Sequence, residues 1–496
     1  MKPFCGLGLS LCSGVLLALL FPPWNLSGLA WIALVPFLTA VLVLSPGPAI
    51  SVLDGLVTFG LFSWLNFWWL WHERRLNEFV ANVACVSFLG VVFSWYLWRF
   101  AKLPVLPKRQ TGTRAPLQPV LVGQGFNSES WRVSLAHLRL AGTVAAAWCF
   151  LEWGRGAVMP AWNALGISIA GNLPLLQLVK GTGPLGLSFL VVFGNVVIFA
   201  AARRLALQPG RTSWSGRFDA IIALAVIFAT WLVGFNSVLV RHTPNFKVCL
   251  VNSNQTRIDD LVRLSQIAES EKANLVVWRK ATFGPGSNSR LSESALGSKI
   301  PVVSGLESAD GRLSGYYVFL PGNVQSVIIP NRNQVLFQPF AENRSKTLQP
   351  ITIDTRVFWA LVGADAGSLP NLQSVGKSQG NGFIAFVDSP TGTRLEEEQL
   401  RGNLRVWCVA LGRALVYQSR RAGANLFTAE GRTTAQVAPG EEAAALGDLS
   451  FSTEPPVTLY SSYGDWFPII CGAIALFSAL NERLRAKYAN SGRLGS

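Results

Sequence analysis

Eight stretches of this chain, at approximately 4–22, 29–45, 51–71, 79–98, 138–154, 184–202, 219–239 and 466–482, are apolar over most of the length needed to cross a hydrocarbon core. In lipid every backbone N–H and C=O has to be satisfied within the segment, which restricts such stretches to helices. Seven precede residue 240 and the eighth follows residue 465. A polytopic α-helical membrane part interrupted once by something else is therefore expected. The first stretch sits where a signal peptide would. It has no small-residue cleavage site and runs through Phe21-Pro22-Pro23-Trp24 toward the second stretch, so it is expected to be retained as a span.

Half of the residues are hydrophobic, only 14% are charged, and the 18 tryptophans and 30 phenylalanines suit membrane–water boundaries. The net charge of +15 does not point to nucleic acid, whose binders carry their cations as a patch or stripe on a polar domain. Here many of the cations flank apolar segments. Arg99, Lys102, Lys108, Arg109, Arg114 and Arg132 follow the fourth span; Arg203, Arg204, Arg211 and Arg217 follow the sixth. Arg483, Arg485, Lys487 and Arg493 follow the eighth. With eight spans all three groups fall on one side, and loops rich in Lys and Arg stay in the cytoplasm. Both termini are then cytoplasmic, and residues 240–465 lie outside. The seven cysteines form no CxxC or Cys/His cluster and the three histidines (His72, His137, His242) are scattered. That argues against a metal site, a disulfide framework or a Ser-His-Asp triad, and no cofactor is expected.

Residues 240–465 change character. Phe246–Val251 reads as a strand, and 257–272 as an amphipathic helix with Ile258, Leu261, Leu264 and Ile267 on one side. Next comes Ala273-Asn-Leu-Val-Val-Trp278, whose apolar run predicts a strand buried on both faces. It stops at two cations, Arg279 and Lys280, and the carboxyl end of such a strand is where ligands and catalytic groups sit in an α/β fold. Further strands are expected at 301–305, 315–320, 324–329, 357–362 and 382–387, and a helix at 396–411. The pattern is that of an inserted α/β domain.

Several local blocks add to this reading. Leu19-Leu20-Phe21-Pro22-Pro23-Trp24 precedes Leu29-Ala30-Trp31 and Pro36; Leu151-Glu152-Trp153-Gly154-Arg155-Gly156 precedes Trp162-Asn163-Ala164-Leu165-Gly166. Gly183-Pro-Leu-Gly186-Leu187-Ser188-Phe189, Pro339-Phe340-Ala341-Glu342 and Tyr463-Gly464-Asp465-Trp466 follow. Together with the eight spans, these blocks resemble the bacterial apolipoprotein N-acyltransferases over nearly the full length. The resemblance implies a membrane domain at 1–239, a nitrilase-like (carbon–nitrogen hydrolase) α-β-β-α sandwich at 240–465 on the periplasmic face of the inner membrane, and a last helix with a basic tail at 466–496. It also implies an activity: transfer of an acyl chain from a phospholipid to the N-terminal cysteine of a lipoprotein, through a thioester.

That chemistry needs a thiolate and a carboxylate that takes its proton. It also needs a fixed donor for the oxyanion. The family ends the strand that matches 276–278 with a Pro-Glu; this chain has Arg279-Lys280, so Lys280 stands at the base position. Counting five residues back from Pro339 reaches Gln334 where the resemblance expects a lysine, in Arg332-Asn333-Gln334. The nucleophile elbow reads Val362-Gly363-Ala364-Asp365, with Gly363 at the cysteine position and only Asp365 keeping the elbow's acidic third residue. All three catalytic positions are substituted.

Other residues offer weak replacements. Lysine holds its proton at neutral pH unless strongly desolvated. Cys249 lies in a strand and Cys408 on a helix among apolar neighbours, as inert core cysteines do. Ser368 has no base at hand. The cations Arg279 and Lys280 are expected to be solvated or neutralised by acids such as Asp365 or Glu342; the alternative is a phosphate-binding site with these cations at its mouth, open to lipid headgroups, with Trp278 and Arg332 among its candidate residues. Glu152 and Arg155, three apart, are expected to pair along a helix, with a headgroup contact as the alternative. Trp64, Phe67, Trp68, Trp69 and Trp71 suit an interfacial belt as well as a lipid entrance, and Glu396-Glu397-Glu398 suits a solvated helix start. The expected function is that of a catalytically degenerate family member binding phospholipid, lipoprotein or a protein partner; the alternative is an active N-acyltransferase with a rearranged site.

Overall fold

The computed structural model describes residues 2–104, 128–158, 163–207, 218–240, 243–253, 258–283, 299–308, 313–321, 323–330, 350–387, 393–452, 454 and 456–491. Its long helices outside the α/β part are α1 (Lys2–Ala18), α2 (Pro48–His72), α3 (Leu76–Phe100), α4 (Ser128–Val158), α5 (Leu185–Leu207) and α6 (Phe218–Leu239). Among the described residues, seven helical stretches are long and apolar enough to cross a membrane: Ser27–Leu44, Pro48–His72, Leu76–Phe100, Trp131–Gly156, Leu185–Leu207, Phe218–Leu239 and Trp466–Arg485. The expected first span is shorter, with an apolar helix over Phe4–Ala18 only. It ends just before Pro22-Pro23, which bring no N–H groups with which to continue a helix.

The stretch Ser27–Leu44 is not one regular helix. A 3₁₀ turn (Ser27–Trp31), an α turn (Val35–Thr39) and a π turn (Ala40–Leu44) follow one another. Breaks of this kind free backbone groups that lipid cannot satisfy. Asn195 of α5 takes two of them. Its Nδ2 donates to Ala30 O at 2.7 Å, and its Oδ1 accepts from Leu34 N at 2.8 Å.

The aromatic run on α2 divides by helical phase. Trp64, Trp68 and Trp71 are exposed at one face, while Phe67 and Trp69 are buried, as spacings of four and seven residues require.

Among the described residues the α/β part has twelve strands: β1 (Phe246–Asn252), β2 (Leu275–Phe283), β3 (Val302–Ser308), β4 (Leu313–Leu320), β5 (Asn323–Pro330), β6 (Pro350–Ile353), β7 (Arg356–Val362), β8 (Gly382–Phe386), β9 (Ala414–Gln418), β10 (Ala424–Phe427), β11 (Thr433–Val437) and β12 (Ala443–Leu449). They form two six-stranded sheets in the orders β12-β1-β2-β3-β4-β5 and β11-β10-β9-β8-β7-β6. Helices α7 (Ile258–Ser270), α8 (Leu369–Lys377), α9 (Arg394–Leu411) and α10 (Trp466–Ser491) complete the described elements used below.

Strand alternation sorts the layers. Val248, Leu250 and Val277 face Phe358, Ile384 and Val416 of the opposite sheet in one core. Cys249, Val276 and Trp278 point the other way, onto Leu261 and Ala268 of α7. On the second sheet Leu361, Phe383 and Leu415 pack outward against Leu372 of α8 and Leu400 and Leu404 of α9. The result is a four-layer α-β-β-α sandwich, the layer order that the resemblance implied for this part. That outer layer shares one continuous core with the membrane helices, so the sandwich is docked and not merely tethered.

Two expectations change here. Strands β6 and β9 to β12 had no counterpart in the sequence reading, because they are four to seven residues long and β12 is rich in alanine. The acidic run on α9 is not a solvated helix start, since Glu396 and Glu397 are both 0% exposed. The first turn of α9 is wedged against the membrane part, where Arg75 Nη1 donates to Glu396 Oε1 and Oε2 at 3.1 and 2.9 Å. Glu397 Oε2 accepts from the backbone N of Arg421 at 2.8 Å and from the Ser419 hydroxyl. Glu398 keeps an ordinary pairing, with Arg394 at 2.7 Å.

Candidate functional site

The parallel strands of both sheets end at the same side of the sandwich. On β1, Leu250 faces the opposite sheet and Val251 faces α7, so Asn252 turns inward again. The same count places Arg279 inward on β2, after Val277, and Gln418 inward on β9, after Val416. Hydrogen bonds fit this register. Gln418 Nε2 donates to Val277 O at 2.8 Å, tying the end of one sheet to the other, and Arg279 Nη1 lies 3.5 Å from Asn252 Oδ1.

Arg279 is only 4% exposed. Of the two states expected of it, solvated or neutralised by an acid, burial excludes the first. A bulge explains part of this: Trp278 pairs with Ser304 and Ala281 with Leu306, so β2 carries one extra residue across Arg279-Lys280. Bulges re-aim side chains and recur beside active sites. Trp278 itself faces α7, buried, with Nε1 donating to Ser265 Oγ at 2.7 Å. It is a packing residue on the layer opposite to Arg279.

Gly363 ends β7 and opens the 3₁₀ turn Gly363–Gly367. Its φ of +56° lies in the left-handed region that favours glycine. The turn is a strand-to-helix elbow at the carboxyl end of a central strand, in the place the sequence reading assigned to a nucleophile. Lys280 and Asp365 are described by their backbone alone, and Arg332, Gln334 and Glu342 lie outside the described residues. Ser368 occupies the cap position of α8, its carbonyl accepting from Leu372 N at 3.1 Å.

The two cysteines described in the sandwich are fully buried. Burial pushes the Cys249 thiol up to about 11. It raises Cys408 further, and that thiol donates to Thr428 O at 3.0 Å. Both are held as thiols, which are poor nucleophiles. Among the described residues no group of three His, Cys, Asp or Glu could hold a metal ion.

Glu152 and Arg155 are far from this strand end in the chain, on α4, and are 2% and 8% exposed. Glu152 Oε1 accepts from Leu165 N at 2.9 Å, and Gly166 N donates to Ser188 Oγ at 2.9 Å. Three separate sequence blocks thus meet at one place. Glu152 and Arg155 also border a small cavity, about 20 Å³, with Trp148 and Asn163, room for about one water. A fourth block anchors the sandwich: Asp465 accepts from Tyr460 OH at 2.8 Å, Trp153 Nε1 at 3.1 Å and Gln373 Nε2 at 3.3 Å. Gly183, at φ +73°, lies so close to the Tyr460 ring that a Cβ would meet it at 2.5 Å.

The sequence reading missed Asn252 and Gln418. The available signal was a polar residue at an inward position ending an apolar strand, as in Leu250-Val251-Asn252 and Val416-Tyr417-Gln418.

Comparison with known proteins adds the following. Residues 13–197 match the family model described as the apolipoprotein N-acyltransferase N-terminal domain. The chain is similar to an apolipoprotein N-acyltransferase of Geobacter metallireducens, 29% identical over 258 residues, which cover 50% of this chain and 43% of that protein. It is also similar to one of Chlorobaculum tepidum, 24% identical over 300 residues, covering 56% of this chain and 48% of the relative. The alignments therefore span less than half the length of either relative. Among solved structures, an amidase from Nesterenkonia sp. is 14% identical, with a TM-score of 0.33, over 43% of this chain and 93% of its own.

Proposed function

Because this chain belongs to the apolipoprotein N-acyltransferase family, we propose that it is a catalytically silent member of it, a membrane protein that binds phospholipid or lipoprotein without transferring an acyl chain. The observation that carries this reading is Gly363, directly after β7: it opens a tight turn at φ +56° and brings no side chain to attack with. Losing the nucleophile removes the covalent path by itself. The buried thiols of Cys249 and Cys408, raised by desolvation, supply no substitute. Lys280 stands where a proton-accepting carboxylate is required, and a lysine offers a proton there instead of taking one.

In this reading residues 1–239 form the membrane domain, 240–465 the periplasmic sandwich, and 466–496 a last span with a cytoplasmic basic tail. The Lys and Arg bias of the loops supports that orientation in a bacterial inner membrane. The inward position of Arg279 favours an anion over a cationic amine at the strand end.

The full-length protein, purified and incubated with phospholipid labelled in its acyl chains, is expected to form no acyl–protein adduct. It is likewise expected not to rescue a strain depleted of an intact N-acyltransferase. An adduct mapped by mass spectrometry to Cys249, Cys408 or Ser368, or robust rescue, would establish a rearranged enzyme and sink the proposal.

A further inference from the structure

A cleft of about 400 Å³ opens between the membrane helices and the edge of the sandwich, away from the strand ends just described. One wall is the turn after α1, with Leu20, Phe21 and Pro22; the other is α9 and the β10–β11 edge, with Arg401, Arg405 and Asn425. None of Trp278, Arg279 and Gly363 lines it. Its volume is in the range of small-molecule sites.

Its chemistry is lopsided. Arg401 and Arg405 stand one turn apart on α9, and each makes one backbone contact: Arg401 Nη1 to Ala422 O at 3.0 Å and Arg405 Nε to Gly431 O at 2.8 Å. Among the described residues neither has a carboxylate within ion-pair distance. Glu398, the acidic residue on the lining, is held by Arg394. Burial, and in smaller part the nearby Arg401 charge, lower the proton affinity of Arg405. Like charges side by side with no counter-charge are stabilised by an anion. Two further lining residues are incompletely satisfied. Gln399 and Asn425 are 3% and 4% exposed, and Gln399 Oε1 and Asn425 Nδ2 have no hydrogen-bond partner among the described residues. Buried polar atoms in that state call for a ligand or water.

We propose that this cleft binds a phosphate-bearing polar group of headgroup size, with Arg401 and Arg405 on the phosphate and Gln399 and Asn425 on its polar substituent. The site lies level with the end of α1 and beside apolar Leu20 and Phe21, where a phosphodiester headgroup of the bilayer would enter. A soluble phosphate monoester shares the same chemistry. The inference rests on the phospholipid-binding reading above only for its ligand class, and it stands whether or not the chain transfers acyl groups.

Native mass spectrometry of the full-length protein released from nanodiscs of phosphatidylglycerol and phosphatidylcholine tests the lipid arm. Retained phosphatidylglycerol is expected to fall roughly tenfold or more in the double variant Arg401→Gln/Arg405→Gln. Thermal stabilisation by glycerol 3-phosphate in non-ionic detergent tests the soluble arm, and its loss in the same variant would assign the site to a free phosphate. Arg263→Gln, which removes an exposed cation on α7 outside the cleft, is expected to change neither. Should the double variant misfold, Gln436→Glu places a carboxylate on the exposed rim and is expected to weaken binding in the same sense. Equal retention and equal stabilisation in wild type and cleft variants would overturn the proposal, whatever the acyl-transfer assay shows.

Discussion

Replacing Arg75 with methionine is expected to lower the stability of the folded protein by about 3–5 kcal/mol at pH values above about 7, the range for a buried ion pair stripped of one partner. Arg75 lies in the turn between α2 and α3 and holds Glu396 with two hydrogen bonds, Glu78 with a further pair, and the face of Trp69 at 5.9 Å. The Glu396 side chain is wholly buried. Without Arg75 its charge would stand uncompensated at the joint between the membrane helices and α9.

The cost depends on pH in a definite direction. Desolvation pushes Glu396 up to about 7, against the opposing pull of Arg75. An unfolded carboxyl near 4.5 releases its proton earlier, so between those values the folded state binds more protons. Its contribution is fully present below about 4.5 and is lost as pH rises through about 7. In Arg75→Met the folded carboxyl holds its proton still longer, so the stability gap to wild type widens as pH rises. The double variant Arg75→Met/Glu396→Leu is expected to recover most of the loss, because an apolar pair can replace a buried ion pair. Tryptophan-fluorescence unfolding in detergent, across this pH range, checks all three. A single variant as stable as wild type above about pH 7, or a double variant no better than the single, would contradict the assignment.

Asn195→Leu is expected to cost about 1–3 kcal/mol for each backbone group it strands, and it strands two, Ala30 O and Leu34 N. Leucine keeps the branched outline of asparagine but is bulkier, so Asn195→Ala is measured beside it to separate the lost hydrogen bonds from overpacking. Amide exchange should localise the effect: protection around Leu34 is expected to drop well before that of α5. Unchanged protection there would show that the broken stretch satisfies itself.

These two residues also show where sequence reasoning reaches and where it stops. The membrane spans were legible because lipid imposes helices on any long apolar stretch, with no need of a partner. Even so, the interruption inside 27–44 was not, since nothing in Leu34 or Ala30 announces that Asn195, far along the chain, completes them. Strands β2 and β7 were legible from their apolar runs. The alanine-rich β12 was not, although it pairs with β1 along seven residues, because its strand character comes from that pairing. At the candidate site the sequence located the elbow at Gly363 and the strand end at Arg279. It left Arg279 either solvated or neutralised by an acid, and the alternation of β2 with the bulge after Trp278 turned that side chain inward, away from solvent.

By itself, then, the sequence determined that the chain is a helical membrane protein carrying an inserted α/β domain. Those properties follow from residue type and local period. The tertiary structure alone decided that Glu396 and Glu397 are buried at a joint, that Asn252, Arg279 and Gln418 converge, and that Arg401 and Arg405 border one cleft. Burial and charge balance belong to surfaces brought together from distant parts of the chain, and no local pattern encodes them.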